Sequence, residues 1–193
     1  MRRRQFILTT SATLAASSLG LTGCTTTSAS KASDNAGKRQ SINAGVDATL
    51  ARLYTTVNGS HELVSKARGV LVFPSVIQAG FWIGGQYGEG ALRVGGQTAG
   101  YYSTAGGSFG LQIGGQSKSI VYLFMTQDAL DRFRNSEGWA VGADATVAVA
   151  KVGANGNIDT STATAPVQAF VLTNAGLMAG VSLEGTKITR LRI

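Results

Sequence analysis

The chain holds one histidine, His61, and one cysteine, Cys24. That scarcity limits the chemistry open to it. A hydrolytic triad needs a nucleophile, a histidine and an orienting acid. His61 lies beside Glu62 in "SHELVSK", a short polar helix pattern in which a solvated histidine is the expected reading. An enzyme would have to pair His61 with a serine or with Glu89, and nothing in their spacing supports that. Metal sites need clustered His, Cys or carboxylate ligands. The ten acids are scattered. Only Glu89 in "GEG" and the pair Asp128 and Asp131 stand out, the first as a barrel-interior acid and the second as a helix surface. The expectation is a non-catalytic protein with no metal and no cofactor.

Glycine is the other residue that suggests chemistry. Between Gly80 and Gln116 there are thirteen glycines, and Gly-Gly-Gln occurs three times. A dinucleotide loop needs G-x-G-x-x-G between a strand and a helix. Gly88-Glu89-Gly90 begins that pattern, but Arg93 stands where the third glycine belongs and no helical pattern follows. The Gly-Lys pair at Gly37-Lys38 is followed by Arg39, not Ser or Thr, so it is no phosphate loop. Gly-Gly-Gln is also the catalytic tripeptide of peptide-release factors, and three copies in one chain argue for coincidence. The glycines alternate with Ile83, Tyr87, Leu92, Val94, Tyr101, Phe109, Leu111 and Ile113, which points to strands that bend sharply.

Basic residues remain. Lys66, Arg68, Lys118, Arg132, Arg134 and Lys151 each fall near the end of a predicted element. A fold could gather them into a patch for anionic lipid headgroups, each residue contributing about 1 kcal/mol near an anionic surface. The alternative is an ordinary solvated surface. The net charge of +7 is no sign of nucleic-acid binding, because three of the seventeen basic residues sit at the extreme N-terminus. Without residues 1–23 the charge falls to +4, and no nucleic-acid partner is expected.

Those N-terminal residues read as an export signal. "MRRRQFILTTSATLAASSLGLTGC" has a basic start, a moderately apolar middle and small residues before Cys24. The segment is too polar for a membrane span. "LTGC" resembles a lipobox, which implies cleavage before Cys24 and acylation of that residue. Arg3, Arg4 and Phe6 resemble a twin-arginine signal, with an ordinary basic start as the alternative. Residues 24–40 are small and polar and read as a lipidated, disordered tether, reaching on the order of 20–25 Å.

Residues 41–193 read as a single domain. Ile42, Val46, Leu50, Leu53 and Val57 line one face of a helix from Ser41 to Gly59; a core face is the simplest use, a membrane-surface face the alternative. A second short helix runs from Ser60 to Gly69. "GVLVFP" is a strand ended by proline, followed by short strands at Phe81 to Tyr87, Ala91 to Val94, Gly100 to Thr104 and Ser108 to Gly114. "SKSIVYLFMT" suits a central strand covered on both faces. "TQDALDRFRN" is a short helix near 127–135 capped by Thr126. A strand in "ADATVAVAKVG", a turn at "NGN" and three further strands follow. The predicted class is α+β, mainly β: one or two N-terminal helices packed on a strongly curved antiparallel sheet or a closed β-barrel.

From "KARGVLVFP" onward the sequence is similar to the SYLF-domain family. The run "GQYGEGALRVGGQTAGYYSTAGGSFGLQIGGQSKSIVYLFMTQDALDRF" resembles its central signature, and "GANGNIDT" and "GLMAGVSLEGTKI" also fit. The resemblance spans Ile42 to Arg190. It implies a lipid-binding domain, since eukaryotic members bind phosphoinositides or phosphatidic acid and some act on actin. Its N-terminal amphipathic helix would be Ile42 to Val57, and its nearest basic residues Lys66 and Arg68. Bacterial lipoprotein members look closest, so actin and phosphoinositides are not expected partners. Thr25 after Cys24 resembles lipoproteins sorted to the outer membrane. The expectation is a membrane-anchored envelope lipoprotein. Its partners would be membrane lipid, as covalent anchor and anionic ligand, or alternatively an envelope protein.

Overall fold

The computed structural model describes residues 27–81, 83–109, 116–151, 158, 164–178 and 181–193. The export signal at residues 1–23, Cys24, the "NGN" turn and most of the strand expected at Ser108 to Gly114 lie outside those residues. The described chain runs α1 (Thr27–Thr56), α2 (Ser60–Lys66), β1 (Gly69–Phe81), β2 (Ile83–Val94), β3 (Gln97–Phe109) and β4 (Gln116–Phe124). It continues with α3 (Gln127–Asn135), β5 (Trp139–Ala140), β6 (Ala148–Val149), β7 (Val167–Thr173), β8 (Gly176–Leu177) and β9 (Lys187–Leu191).

The strands form one sheet in the order β5-β9-β3-β2-β1-β4-β7-β6, with β8 beside β7. It curls into an open half-barrel. Among the described residues its end strands, β5 and β6, do not pair, so the sheet is not a closed barrel. The pairings are antiparallel except β6 with β7, which is parallel.

A curled sheet covered on both faces needs two apolar layers. Residues alternate between them along each strand. On the outer face, Val70, Val72, Ala91, Val121, Leu123, Phe170 and Leu172 meet Ile42, Val46, Leu53 and Val57 of α1. The predicted helical stripe is therefore core. Gly45 lets the helix approach: a Cβ there would lie 2.9 Å from the Pro74 Cβ. On the inner face, Leu71, Phe73, Leu92, Ile120, Tyr122 and Phe124 meet Leu130 and Phe133 of α3, with Trp139 and Tyr102. β4 is buried on both sides from Lys118 to Phe124, as its unbroken apolar run predicts.

Three local expectations change. The strand from Gly69 does not end at Pro74. It continues to Phe81 through an irregularity between Val72 and Ser75, where a residue without an N–H breaks the ladder only locally. The glycines do not divide the hairpin into short strands either. β2 and β3 pair from Ile83↔Phe109 to Val94↔Gln97 with a single register shift, between Leu92 and Arg93, and Gly95 and Gly96, both at positive φ (59° and 80°), make the two-residue turn.

The third change concerns the tether. Thr27 to Gln40 belongs to α1, a helix of thirty residues. Once residues 41–57 dock, each further helical residue adds a hydrogen bond without a new nucleus. The Lys38 ammonium also ties this segment to Glu89 at 2.8 Å. Helices α2 and α3 form where expected. Ser60 is not a helix cap; its hydroxyl donates to the Leu53 carbonyl at 3.1 Å and is buried. Thr126 does cap α3, accepting from the Ala129 N–H at 3.2 Å.

The Glu89 cluster yields a testable consequence. Burial raises the carboxyl's pKa, but hydrogen bonds from Lys38 and Tyr87 outweigh it and hold the group below its ordinary value. A depressed carboxylate contributes stability that is present above its unfolded pKa and lost as the pH falls through the folded one. Glu89→Gln is expected to cost about 1 kcal/mol at pH 7. Its difference from wild type should disappear in urea titrations taken well below pH 4.

Candidate functional site

The six basic candidates do not form one patch. Lys66 and Arg68 flank the start of β1, and Arg132 and Arg134 close α3. All four stand at the end of the sheet where Gly69 pairs with Phe124. Two of them are engaged locally: Lys66 with Glu62 at 2.6 Å and Arg132 with Asp128 at 3.1 Å, each one helical turn apart. Lys151 is exposed just past β6. Lys118 lies six residues before Phe124 on β4, about 20 Å along the strand, and is only 9% exposed.

His61 is exposed, its ring edge-on to Tyr54 at 4.8 Å between centroids. Asp131 accepts from Gln127 on the α3 surface. Among the described residues no group of three or more His, Cys, Asp or Glu could hold a metal, and no helix is long and apolar enough to cross a membrane. Arg3, Arg4, Phe6 and Cys24 lie outside the described residues.

Two arrangements were not predicted. The first is on the outer face, beyond the part that α1 covers. Ile77 and Tyr87 are direct cross-strand partners on β1 and β2, and they are 58% and 51% exposed. They are the large hydrophobic side chains that the described surface leaves open. The Tyr87 hydroxyl donates to Glu89 at 2.7 Å, which also holds Lys38. An apolar pair is thus joined to the N-terminal half of α1, where Lys31 and Arg39 are exposed.

The second lies on the inner face at the same end of the sheet. Lys118 pairs with Val76, Val76 with Gly88, and Gly88 with Thr104. The next inward row is Gln78 paired with Gln86, and Gln86 paired with Gly106. Direct partners share a face, and Val76 and Ile120 fix that face as the inner one. Gln86 is buried and donates to the Thr186 hydroxyl at 3.1 Å. Thr104 is fully buried, and its hydroxyl has no hydrogen-bond partner among the described residues. Lys118 pairs with no carboxylate among them. Gly88 lets β1 pack close to β2 here: a Cβ on it would lie 2.7 Å from the Ser75 carbonyl oxygen and 2.8 Å from Val76 Cγ2.

Desolvation pushes the Lys118 amine below its ordinary pKa of 10.5. For a base shifted down, the unfolded chain holds the extra proton, so stability rises with pH between the folded pKa and 10.5. Lys118→Met is therefore expected to be more stable than wild type at pH 7, with a gap that narrows toward pH 10.5. Urea titrations in phosphate-free buffer at pH 7 and pH 10 measure it.

The geometry defines a helix-backed, half-open β-barrel with a polar tier inside its glycine-rich end. Residues 105–192 match the family model Ysc84, described as "Las17-binding protein actin regulator". This part of the chain is similar to that family, the SYLF-domain family. The match begins within β3 and takes in β4 to β9 and α3. None of the curated proteins compared with the chain matches it.

Proposed function

We propose that the protein is a non-catalytic envelope lipoprotein, anchored through acylated Cys24, whose SYLF domain binds anionic lipid. The single observation that carries the reading is the exposed Ile77–Tyr87 pair, coupled through Glu89 and Lys38 to α1. Thr27, the first described residue of α1, follows Cys24 by three residues. An acylated Cys24 would hold the start of that helix against the bilayer. The apolar pair would then enter the headgroup region, with Lys31 and Arg39 meeting anionic lipid. Anchoring of this kind needs two or more acyl chains, since one gives only reversible attachment.

The test places an environment-sensitive dye on a single cysteine in the full chain carrying Cys24→Ser. With the dye at Ile77→Cys, vesicles of phosphatidylcholine and phosphatidylglycerol are expected to shift its emission to the blue. With the dye at Arg132→Cys, on the far end of the sheet, the emission should stay unchanged. A shift at Arg132→Cys alone, or at neither position, would remove the reading.

The family description names a protein partner, and this favours a second reading. The same apolar pair would then dock an envelope protein, and the lipid would serve only as anchor. In that case the dye at Ile77→Cys responds to envelope extract and ignores vesicles.

A further inference from the structure

We infer that the surface where β9 meets α3 docks an acidic peptide segment of a partner protein, held by the Arg134 and Arg190 guanidiniums and the Tyr102 hydroxyl, with Arg192 beside them.

Three elements bring these groups together. Arg190 on β9 is the direct cross-strand partner of Tyr102 on β3. Direct partners share a face, and Tyr102 and Ile188 belong to the inner-face core. Arg190 therefore stands on that face. Arg192 follows it by the two-residue period of an extended chain, while Ile193 packs with the outer-face core. The third element is α3. Its Phe133 ring lies 4.9 Å from the Tyr102 ring, and Arg134 comes next in the chain. Burial pushes the Tyr102 hydroxyl above its ordinary pKa, and Arg190 and Arg134 both pull it back, so both guanidiniums reach toward that hydroxyl.

No carboxylate among the described residues neutralises this group. The ion pairs there engage Lys38, Lys66, Arg93 and Arg132. Arg134, Arg190 and Arg192 are exposed and stand outside them, and so does the exposed Glu137 that follows α3. Like charges gathered on one surface repel and cost stability, so the arrangement favours an anion from outside. A guanidinium binds a carboxylate through two parallel N–H bonds. Arg190 and Arg192 stand about 7 Å apart along the strand, the spacing of alternate residues in an extended peptide. A segment with carboxylates at alternate positions can meet both, while Arg134 and the Tyr102 hydroxyl close on one of them. The Ile77–Tyr87 pair, which the proposed function lays on the bilayer, is on the other face of the sheet. The choice of a peptide over a bilayer rests on that reading; the arginine cluster does not.

The experiment is fluorescence polarisation with residues 24–193 carrying Cys24→Ser, which keep every described element. The probe is a dye-labelled ten-residue peptide of alternating aspartate and threonine, and its control replaces each aspartate by asparagine. At low salt the aspartate peptide should bind saturably, and the asparagine peptide about tenfold more weakly or not at all. Arg190→Gln and Arg134→Gln should each weaken binding several-fold. Arg190→Lys should fall between wild type and Arg190→Gln, because it keeps the charge and loses the fork. Tyr102→Phe keeps the ring on Phe133 and should weaken binding about twofold. Lys151→Gln removes the same charge elsewhere and should bind as wild type does. The arginines are exposed, so these variants are expected to fold, and circular dichroism checks that they do. The inference is overturned if the asparagine peptide binds as well as the aspartate peptide, or if Lys151→Gln loses as much as Arg190→Gln. It is also overturned if phosphatidylglycerol vesicles displace the bound peptide, which would assign the cluster to lipid. If it fails while the dye at Ile77→Cys still shifts on vesicles, the lipid-surface reading stands without this site.

Discussion

Gly90→Ala is expected to destabilise the protein by about 3 kcal/mol or more, the largest effect of any single methyl group in the sheet. Gly90 lies in β2 against the irregular part of β1. A Cβ there would press into the Val72 carbonyl oxygen and stand 2.8 Å from the Phe73 ring. The carbonyl belongs to backbone that is paired on both sides, to β2 and to β4, so it cannot step aside. Gly85→Ala, in the same strand, is the control: nothing lies within 4 Å of its added carbon, and a change within about 0.5 kcal/mol is expected. Urea unfolding followed by circular dichroism separates the two. Equal losses would mean that glycine serves chain flexibility here and not the close approach of β1 and β2.

Trp139→Ala is expected to cost about 3–5 kcal/mol. Trp139 is 2% exposed and packs its ring on Tyr122, Phe124 and Phe133 at centroid distances of 6.1, 6.0 and 5.5 Å. It also brings β5 to the edge of β9. Removing it leaves a hole among three aromatic rings and loosens the seal between α3 and the inner face. Trp139→Phe keeps the edge-to-face contact and should recover more than half of the loss. The urea midpoint of each variant measures this, and an unchanged midpoint for the alanine variant would mean that the aromatic cluster is not the core of the domain.

Much of this architecture was legible in the sequence because it follows from local rules. The stripe from Ile42 to Val57 docks on the sheet, the "SIVYLF" run is covered on both faces, and Thr126 caps α3. What escaped were features set by distant contacts. Pro74 reads as a strand end, and only the pairing on either side of β1 carries the strand past it. The glycines of "GEGALRVGGQ" read as breaks, but within a paired hairpin they let strands approach. The segment before Ser41 reads as tether because it lacks apolar residues, and the docked helix behind it with the Lys38–Glu89 pair extends α1 over it.

The basic residues show the same division. Lys66, Arg68, Arg132 and Arg134 stand at element ends, Lys118 lies within β4 and Lys151 lies past β6. The i,i+4 carboxylates that engage Lys66 and Arg132 were also in the sequence, as Glu62 and Asp128. The burial of Lys118 was not, since it depends on how far the sheet curls. The Ile77–Tyr87 pair was hidden for a related reason: alternation shows which residues share a face, but not where α1 stops covering it.

The central proposal is that the folded domain itself, apart from the proposed acyl anchor on Cys24, binds anionic lipid. Flotation of residues 24–193 carrying Cys24→Ser, without the basic and apolar signal segment, tests it most directly, with vesicles of pure phosphatidylcholine and vesicles containing a third phosphatidylglycerol at low salt. The account predicts that the chain floats with the anionic vesicles, stays at the bottom with the neutral ones, and is released as salt screens the headgroups. Equal behaviour with both vesicle types, or no flotation with either, would contradict it.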